Sequence, residues 1–504
     1  MTKTKYPVVL TASVLMLGSF TWAQEPQKPK YSADVPESIL TPDKVETERL
    51  GTLEFFDGMP AEETIKKVYD NLDYIRGVEA FLNGMPAAAM YKMCTGFEKV
   101  GIPAHTVAIS EELLDARTLW LTPNSTTVYV TTCLDLKQGP VVVEIPPGVL
   151  GAVNDAFFHW DTDIGVTGPD QGRGGRYLFL PPHYEGPVPQ IGFHVVRTRT
   201  YRHWVLARAF VIDGDIKAAV AGIKADTKAY LFSEAKSPPK QTFVNFSGSL
   251  MNTVHASDVT FYDELNAVVQ YEPADTFNPE LTGLFASIGI KKGQPFAPDE
   301  RMKKILTEAA AVGNATARAL GFRPRNKSAY YYPDRQWYTG FAGGHDFMNN
   351  GELVLDDRIM FHYVATGITP AMATPQVGTG SVYASATKDV KGEHLDGGKT
   401  YKVTLPAPIP MNNFWSFMVY SGQHRSMLET DQKAAGLDSN SPSIKQNDDK
   451  SYTVWFGPEA PEGHEGNWVQ TLPGKSYLAM LRLYGPLEPW FDKTWKPGDL
   501  ELVE

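Results

Sequence analysis

His159, Asp161 and Asp163 alternate in Phe158-His159-Trp160-Asp161-Thr162-Asp163. On a β-strand, side chains repeat every second residue, so the three would share one face at steps of about 7 Å. One imidazole and two carboxylates set out this way can bind a divalent cation weakly or act as an acid and a base. A usable metal site would need a further ligand from another element. The simpler reading is a solvated polar face at a strand end. His345 is the other candidate base. It sits in Gly343-Gly344-His345-Asp346, where small neighbours leave the ring accessible, after the aromatic run Tyr330-Tyr331-Tyr332-Pro333, Trp337-Tyr338 and Phe341. Such rings stack on a sugar or an aromatic ligand, or plug a junction between domains.

Two loops are candidates for binding. Gly168-Pro169-Asp170-Gln171-Gly172-Arg173-Gly174-Gly175-Arg176 offers backbone amides and guanidinium groups to an anion. It leads into a strand rather than a helix, so it lacks the dipole of a nucleotide-binding loop, and a turn needing positive φ is the plainer account. Thr122-Pro123-Asn124-Ser125-Thr126-Thr127 is a short polar stretch between apolar runs. Its side chains either satisfy turn amides or face a ligand. No Gly-x-Ser-x-Gly, His-Glu-x-x-His, Cys-x-x-Cys or phosphate-loop motif occurs.

These residues need a scaffold, and 504 residues exceed what one core supports, so two or three domains are expected. Lys3 and Lys5, the apolar run Val8–Phe20, and Thr21-Trp22-Ala23 before Gln24 follow the pattern of a cleaved secretory leader. Loss of that leader takes the formal charge from −11 to −13. An acidic chain without a basic cluster repels phosphate backbones, which argues against nucleic acid. No later run is long and apolar enough to span a bilayer. The expected location is the periplasm or the exterior. There Cys94 and Cys133 are free to pair, although one on a helix and one on a strand also fit buried free thiols. Neither has a His at zinc-motif spacing, so folding is not expected to depend on metal.

The elements follow from pattern. Residues 1–23 form the signal peptide and 24–57, rich in Pro and polar residues, an extended arm. Residues 58–116 are helical, with one helix opening near Pro60 and another at Pro86. Residues 117–212 carry seven short strand-like runs separated by turn residues, the pattern of an antiparallel β-sandwich. Helical stripes return over 213–370. From 371 to 504 strands are joined by longer connections, which suits a jelly roll or a related sandwich.

Leu121-Thr122-Pro123-Asn124-Ser125-Thr126-Thr127-Val128-Tyr129, Gly139-Pro140-Val141-Val142 and the glycine-rich loop resemble a bacterial family of paired domains of unknown function, numbered 1254 and 1214. Phe414-Trp415-Ser416 with Tyr420, Asn467-Trp468, Arg482-Leu483-Tyr484-Gly485-Pro486, and Trp495 with Pro497 carry the second half of the resemblance. It implies a mainly β fold with α: an immunoglobulin-like sandwich, a helical middle layer and a jelly-roll-like domain. It implies no activity. The family's pattern places an acidic residue after Asn124-Ser125, where this chain has Thr126, so no carboxylate chemistry carries over to that position.

The expected function is an exported enzyme, a hydrolase among the options, acting on a small molecule or glycan fragment in an inter-domain pocket. The alternative is a non-catalytic ligand-binding or envelope protein. His345, His159, Asp161 and Asp163 are the candidate catalytic residues. Asn124, Thr126, Tyr129, Arg173, Trp415, Tyr420, Arg482 and Tyr484 are the candidate ligand contacts. Cofactor and metal identity are left open, and a homo-oligomer is compatible with the sequence.

Overall fold

A computed structural model describes residues 1–2, 29–212 and 214–503. The leader expected over 1–23 lies almost wholly outside them. The chain divides into two compact units, Met1–Tyr69 and Asp70–Glu504. Among the described residues no helix is long and apolar enough to cross a membrane.

The first unit corrects the expectation of an extended arm. Lys44–Thr47, Gly51–Phe56 and Met59–Pro60 form a three-stranded antiparallel sheet in that order. Gly51 and Gly58, both at positive φ, supply the reversals. Thr64 closes the unit, its hydroxyl accepting from the Glu54 N–H (2.8 Å) and donating to the Glu54 carbonyl (3.1 Å).

The helix that follows is also a correction. Two helices with a break at Pro86 were expected; one helix runs Glu62–Lys99 with Pro86 inside it. Proline removes one intrahelical hydrogen bond. Here Met85, Ala87, Ala88 and Ala89 beside it are all fully buried, and that packing outweighs the local loss.

In the second unit, two sheets face each other over one apolar core. The larger has six strands in the order Phe243–Asn245, Val107–Ile109, Thr127–Asp135, Arg202–Phe210, Leu150–Asp155 and Trp160–Gly165. The smaller orders His194–Arg197, Gly175–Leu180, Val141–Ile145 and Lys228–Leu231. Val128, Val130 and Val205 of one pack with Val141, Val143 and Phe179 of the other. Alternating β-branched residues at these positions supply the shared face. A second pair of sheets encloses another core. One orders Ser381–Ala386, Tyr477–Tyr484, Trp415–Ser421 and Gly436–Asp438; the other Trp468–Gln470, Tyr452–Gly457, Tyr401–Leu405 and Glu501–Leu502. The architecture is therefore mixed α and β, mostly β.

A helical cluster packs Phe81, Leu265, Leu306 and Tyr363 together. Its longest member after the first helix is Glu300–Phe322, capped by Asp299, whose carboxylate accepts from the Met302 N–H at 2.8 Å. A further core joins both pairs of sheets to the first helix. It contains Met90 and Phe97 of the helix, Trp120, Tyr129 and Trp204 of the first pair, and Met418, Tyr420 and Met480 of the second.

Cys94 of the helix and Cys133 of the strand Thr127–Asp135 are joined in a disulfide, with Cα atoms 5.8 Å apart. The free-thiol alternative is thereby set aside. Residence on different element types does not prevent pairing, because the helix packs directly on the sheet.

Candidate functional site

The site begins with two arginines, each the lone charge in an apolar strand segment. Arg208 lies in Val205-Leu206-Ala207-Arg208-Ala209-Phe210, and Arg482 in Ala479-Met480-Leu481-Arg482-Leu483-Tyr484. Register gives each a tyrosine as a cross-strand partner: Arg208 opposite Tyr129, and Arg482 opposite Tyr383. The two strands belong to different halves of the second unit, and both arginines line one cavity of about 90 Å³. Its walls include Trp120, Tyr129, Phe341, Met360, Phe361 and Tyr383. Among the described residues lining this cavity there is no Asp, Glu or His.

Arg482 is 3% exposed. Its Nη2 donates to the Thr122 carbonyl at 3.0 Å and to the Tyr420 hydroxyl at 2.6 Å, and that hydroxyl donates to the Pro123 carbonyl at 2.6 Å. Its guanidinium carbon lies 5.7 Å from the ring centres of both Tyr383 and Tyr420. Its Nη1 has no hydrogen-bond partner among the described residues. A buried guanidinium normally meets a carboxylate, and neither Arg208 nor Arg482 forms an ion pair among the described residues. Burial pushes the Tyr383 phenol up, but the charges of Arg208 and Arg482 outweigh it and leave the phenol below its ordinary value.

Arg358 and Arg425 are also buried without a carboxylate, and each likewise has a nitrogen, Arg358 Nε and Arg425 Nη2, with no partner among the described residues. They give hydrogen bonds to Asn83 (2.6 Å) and to the Tyr363 carbonyl (3.0 Å), and neither lines this cavity. Burial drags each down to about 10. The phenols around Arg208 and Arg482 have the opposite effect: burial opposes their charge, yet both sit above the ordinary value.

The turn that brings Thr122 to Arg482 is held by Asn124. The Asn124 side-chain oxygen accepts from the Thr126 N–H (3.0 Å) and Thr127 N–H (3.1 Å), while its backbone N–H donates to the Tyr129 hydroxyl at 2.9 Å. Thr122 itself sits at φ 43°, a region β-branched residues rarely occupy. Opposite, Gly367 has φ 76°, and a Cβ there would come within 3.0 Å of the Trp204 ring.

Two further spaces share lining residues with the cavity or with each other. A pocket of about 50 Å³ shares Leu206, Arg208, Gly367, Met372 and Tyr383 with it. A cleft of about 650 Å³ shares Leu150, Thr167, Arg208, Ala371 and Ser381 with that pocket. Arg208 borders all three.

Of the ligand contacts expected from sequence, Asn124, Tyr129 and Arg482 line the inner cavity and Tyr484 the outer cleft. Thr126 reaches the Tyr484 hydroxyl at 3.4 Å, and Tyr420 stands behind Arg482. Trp415 and Arg173 lie elsewhere. Trp415 is fully buried in the core of the second pair of sheets. Arg173 is exposed on the glycine-rich loop, which is a turn organised by Asp170; that carboxylate accepts from the Gly165 N–H (2.8 Å), the Gly174 N–H (3.1 Å) and the Tyr177 hydroxyl.

The expected acid–base residues are each engaged separately. His159 precedes the strand Trp160–Gly165 and pairs with Asp155 at 3.0 Å. Asp161 pairs with His203 at 2.7 Å, and Asp163 accepts from the Trp160 indole at 2.9 Å. Among the described residues they form no cluster that would hold a metal. His345 packs edge-on against Trp160, with ring centres 5.9 Å apart, and lines none of the three spaces. Only Asp163 borders the outer cleft. Arg208 and Tyr383 were not singled out from sequence; the available signal was a lone cation inside an otherwise apolar strand.

Near the Asp161–His203 pair lies Glu272, 1% exposed, which accepts from the Tyr201 N–H (2.6 Å) and Arg202 N–H (3.2 Å). Burial raises its carboxyl to about 7. The folded protein thus keeps this proton up to about pH 7, whereas the unfolded chain releases it near 4.5. The resulting stability is fully present below 4.5 and declines as pH rises from there to about 7, by on the order of 3 kcal/mol. Urea midpoints followed across this window should fall in the wild type and stay flatter in Glu272→Gln. Equal slopes would refute the assignment.

Residues 105–231 match the family model described as protein of unknown function (DUF1254), and residues 380–488 match that described as protein of unknown function (DUF1214). No curated protein matches the chain. Among solved structures, the VPA0106 protein from Vibrio parahaemolyticus is similar in fold. It is 18% identical, with 86% of this chain and 100% of that one covered and a TM-score of 0.54. A putative uncharacterized protein from Burkholderia cenocepacia is 11% identical over 87% of this chain and 96% of that one, with a TM-score of 0.37. Both family models thus match parts of the chain, DUF1254 before DUF1214, which is the paired order that the sequence resembles.

Proposed function

We propose that this is an exported protein whose inner cavity binds a small organic anion, with Arg208 and Arg482 holding a carboxylate. One observation carries the reading: two guanidinium groups from different halves of the unit face one aromatic-walled cavity that contributes no acid, and one of them retains a buried, unpartnered N–H. A planar fork of donors matches a carboxylate in two hydrogen bonds, and low polarity around it strengthens each. Binding is favoured over hydrolysis because no described imidazole or carboxylate lines this cavity to act as base or acid. Export is supported by the leader-like first residues and by the Cys94–Cys133 disulfide, which persists in oxidising compartments.

Titration calorimetry with butyrate and its neutral isostere butyramide tests the reading. The two share shape and differ in charge. Saturable binding of butyrate with none of butyramide is expected; equal behaviour of the two would discard the anion site.

A further inference from the structure

The inner cavity admits a headgroup and little more: a water-sized group needs on the order of 10–15 Å³, and the space is about 90 Å³. Arg208 is shared with the cleft of about 650 Å³, so a longer ligand held at Arg208 has room to extend there. That cleft changes character. Val166, Phe210, Val211, Ile212, Ala371 and Phe414 line it, and Val166, Phe210 and Ile212 are 54%, 43% and 74% exposed. Among the described residues its one lining acid, Asp163, already accepts from the Trp160 indole. Phe414 stacks on Tyr484, with ring centres 4.0 Å apart, and so presents a fixed apolar wall. Polar Thr167, Gln376, Thr379 and Asn413 also line the cleft, but hydrocarbon at Phe210, Ile212 and Phe414 shares it with Arg208, the cation that borders the inner cavity as well.

From this juxtaposition of a shared cation and exposed hydrocarbon we infer that the ligand is an amphipathic monocarboxylic acid, its carboxylate at Arg208 and Arg482 and its apolar chain lying along the cleft against Phe210, Ile212 and Phe414. The inference rests on the anion-binding reading and adds the class of ligand.

A series of straight-chain carboxylates from butyrate to decanoate, titrated into the full chain below their aggregation concentrations, tests it. Each methylene that enters the cleft should tighten binding roughly fourfold, until the chain reaches open solvent. Phe210→Ser combined with Ile212→Ser, both at exposed positions, should weaken decanoate at least tenfold more than butyrate. Butyrate binding with no dependence on chain length, or equal weakening of both acids, overturns the amphipathic ligand while leaving the anion site. Tight decanoate binding that survives Arg482→Met overturns the anion site instead. If no acid of any length binds, both fall.

Discussion

Replacing Cys94 and Cys133 together by alanine is expected to lower the unfolding free energy by about 4 kcal/mol, read as a lower urea midpoint under non-reducing conditions. The figure follows from loop-closure entropy: the bridge spans a sequence separation of 39, which lies between the short and long loops for which cross-links contribute about 3 and 4.7 kcal/mol. Position adds to it. Cys94 and Cys133 are 1% and 9% exposed, within the core that also holds Trp120 and Tyr129 of the cavity wall, so the bridge fastens the first helix to the sheet carrying Arg208. The wild type under a strong reductant should approach the double variant. The same material offers a check on export. In a bacterial host the periplasmic protein should begin near Gln24, with an intact mass lighter by the hydrogens of both thiols. An unchanged midpoint in the double variant would show that the bridge contributes nothing to stability.

Arg208→Met and Arg482→Met are each expected to weaken butyrate binding by about 30- to 150-fold, since each removes a charge-assisted contact worth roughly 2–3 kcal/mol in a low-polarity site. Their effects on stability should differ. Arg208 makes no ion pair among the described residues, but the phenols beside it favour its charge over the cost of burial, so an apolar side chain of similar length should lower the urea midpoint only slightly. Arg482 gives hydrogen bonds to the Thr122 carbonyl and Tyr420 hydroxyl, and its loss should lower stability by about 1–3 kcal/mol. Arg482→Lys keeps charge but loses the fork, so its affinity should fall between those of wild type and Arg482→Met. Full affinity in Arg208→Met would remove Arg208 from the site. A large destabilisation by that variant would assign it a structural role.

What the amino-acid sequence determined by itself was local. Strands such as Val141–Ile145, Ser381–Ala386 and Tyr477–Tyr484 are legible end to end, because an apolar run bounded by turn residues depends on near neighbours alone. The turn at Gly172 and Gly174 was equally readable, since positive φ is a property of a few adjacent residues. Short strands such as Val107–Ile109 and Lys228–Leu231 were not, because a run of three or four residues becomes a strand only when a sheet edge receives it. Pro86 shows the same limit, its local penalty overridden by distant packing partners.

The site was legible in half. The Thr122–Thr127 stretch and Arg482 were distinctive in sequence, and both reach the cavity. His159, Asp161 and Asp163 alternated as a strand pattern requires, yet Asp155, His203 and Trp160 each claimed one of them, and two of those partners lie outside the alternating segment. Periodicity says which residues share a face; it does not say what already occupies that face. The meeting of Arg208 with Arg482 is the feature only the tertiary structure decided. The two lie in strands of different sheets, 274 positions apart by number, and each alone reads as an oddity in an apolar strand. Packing the two pairs of sheets against one helical layer brings both cations to one cavity, with no acid lining it among the described residues.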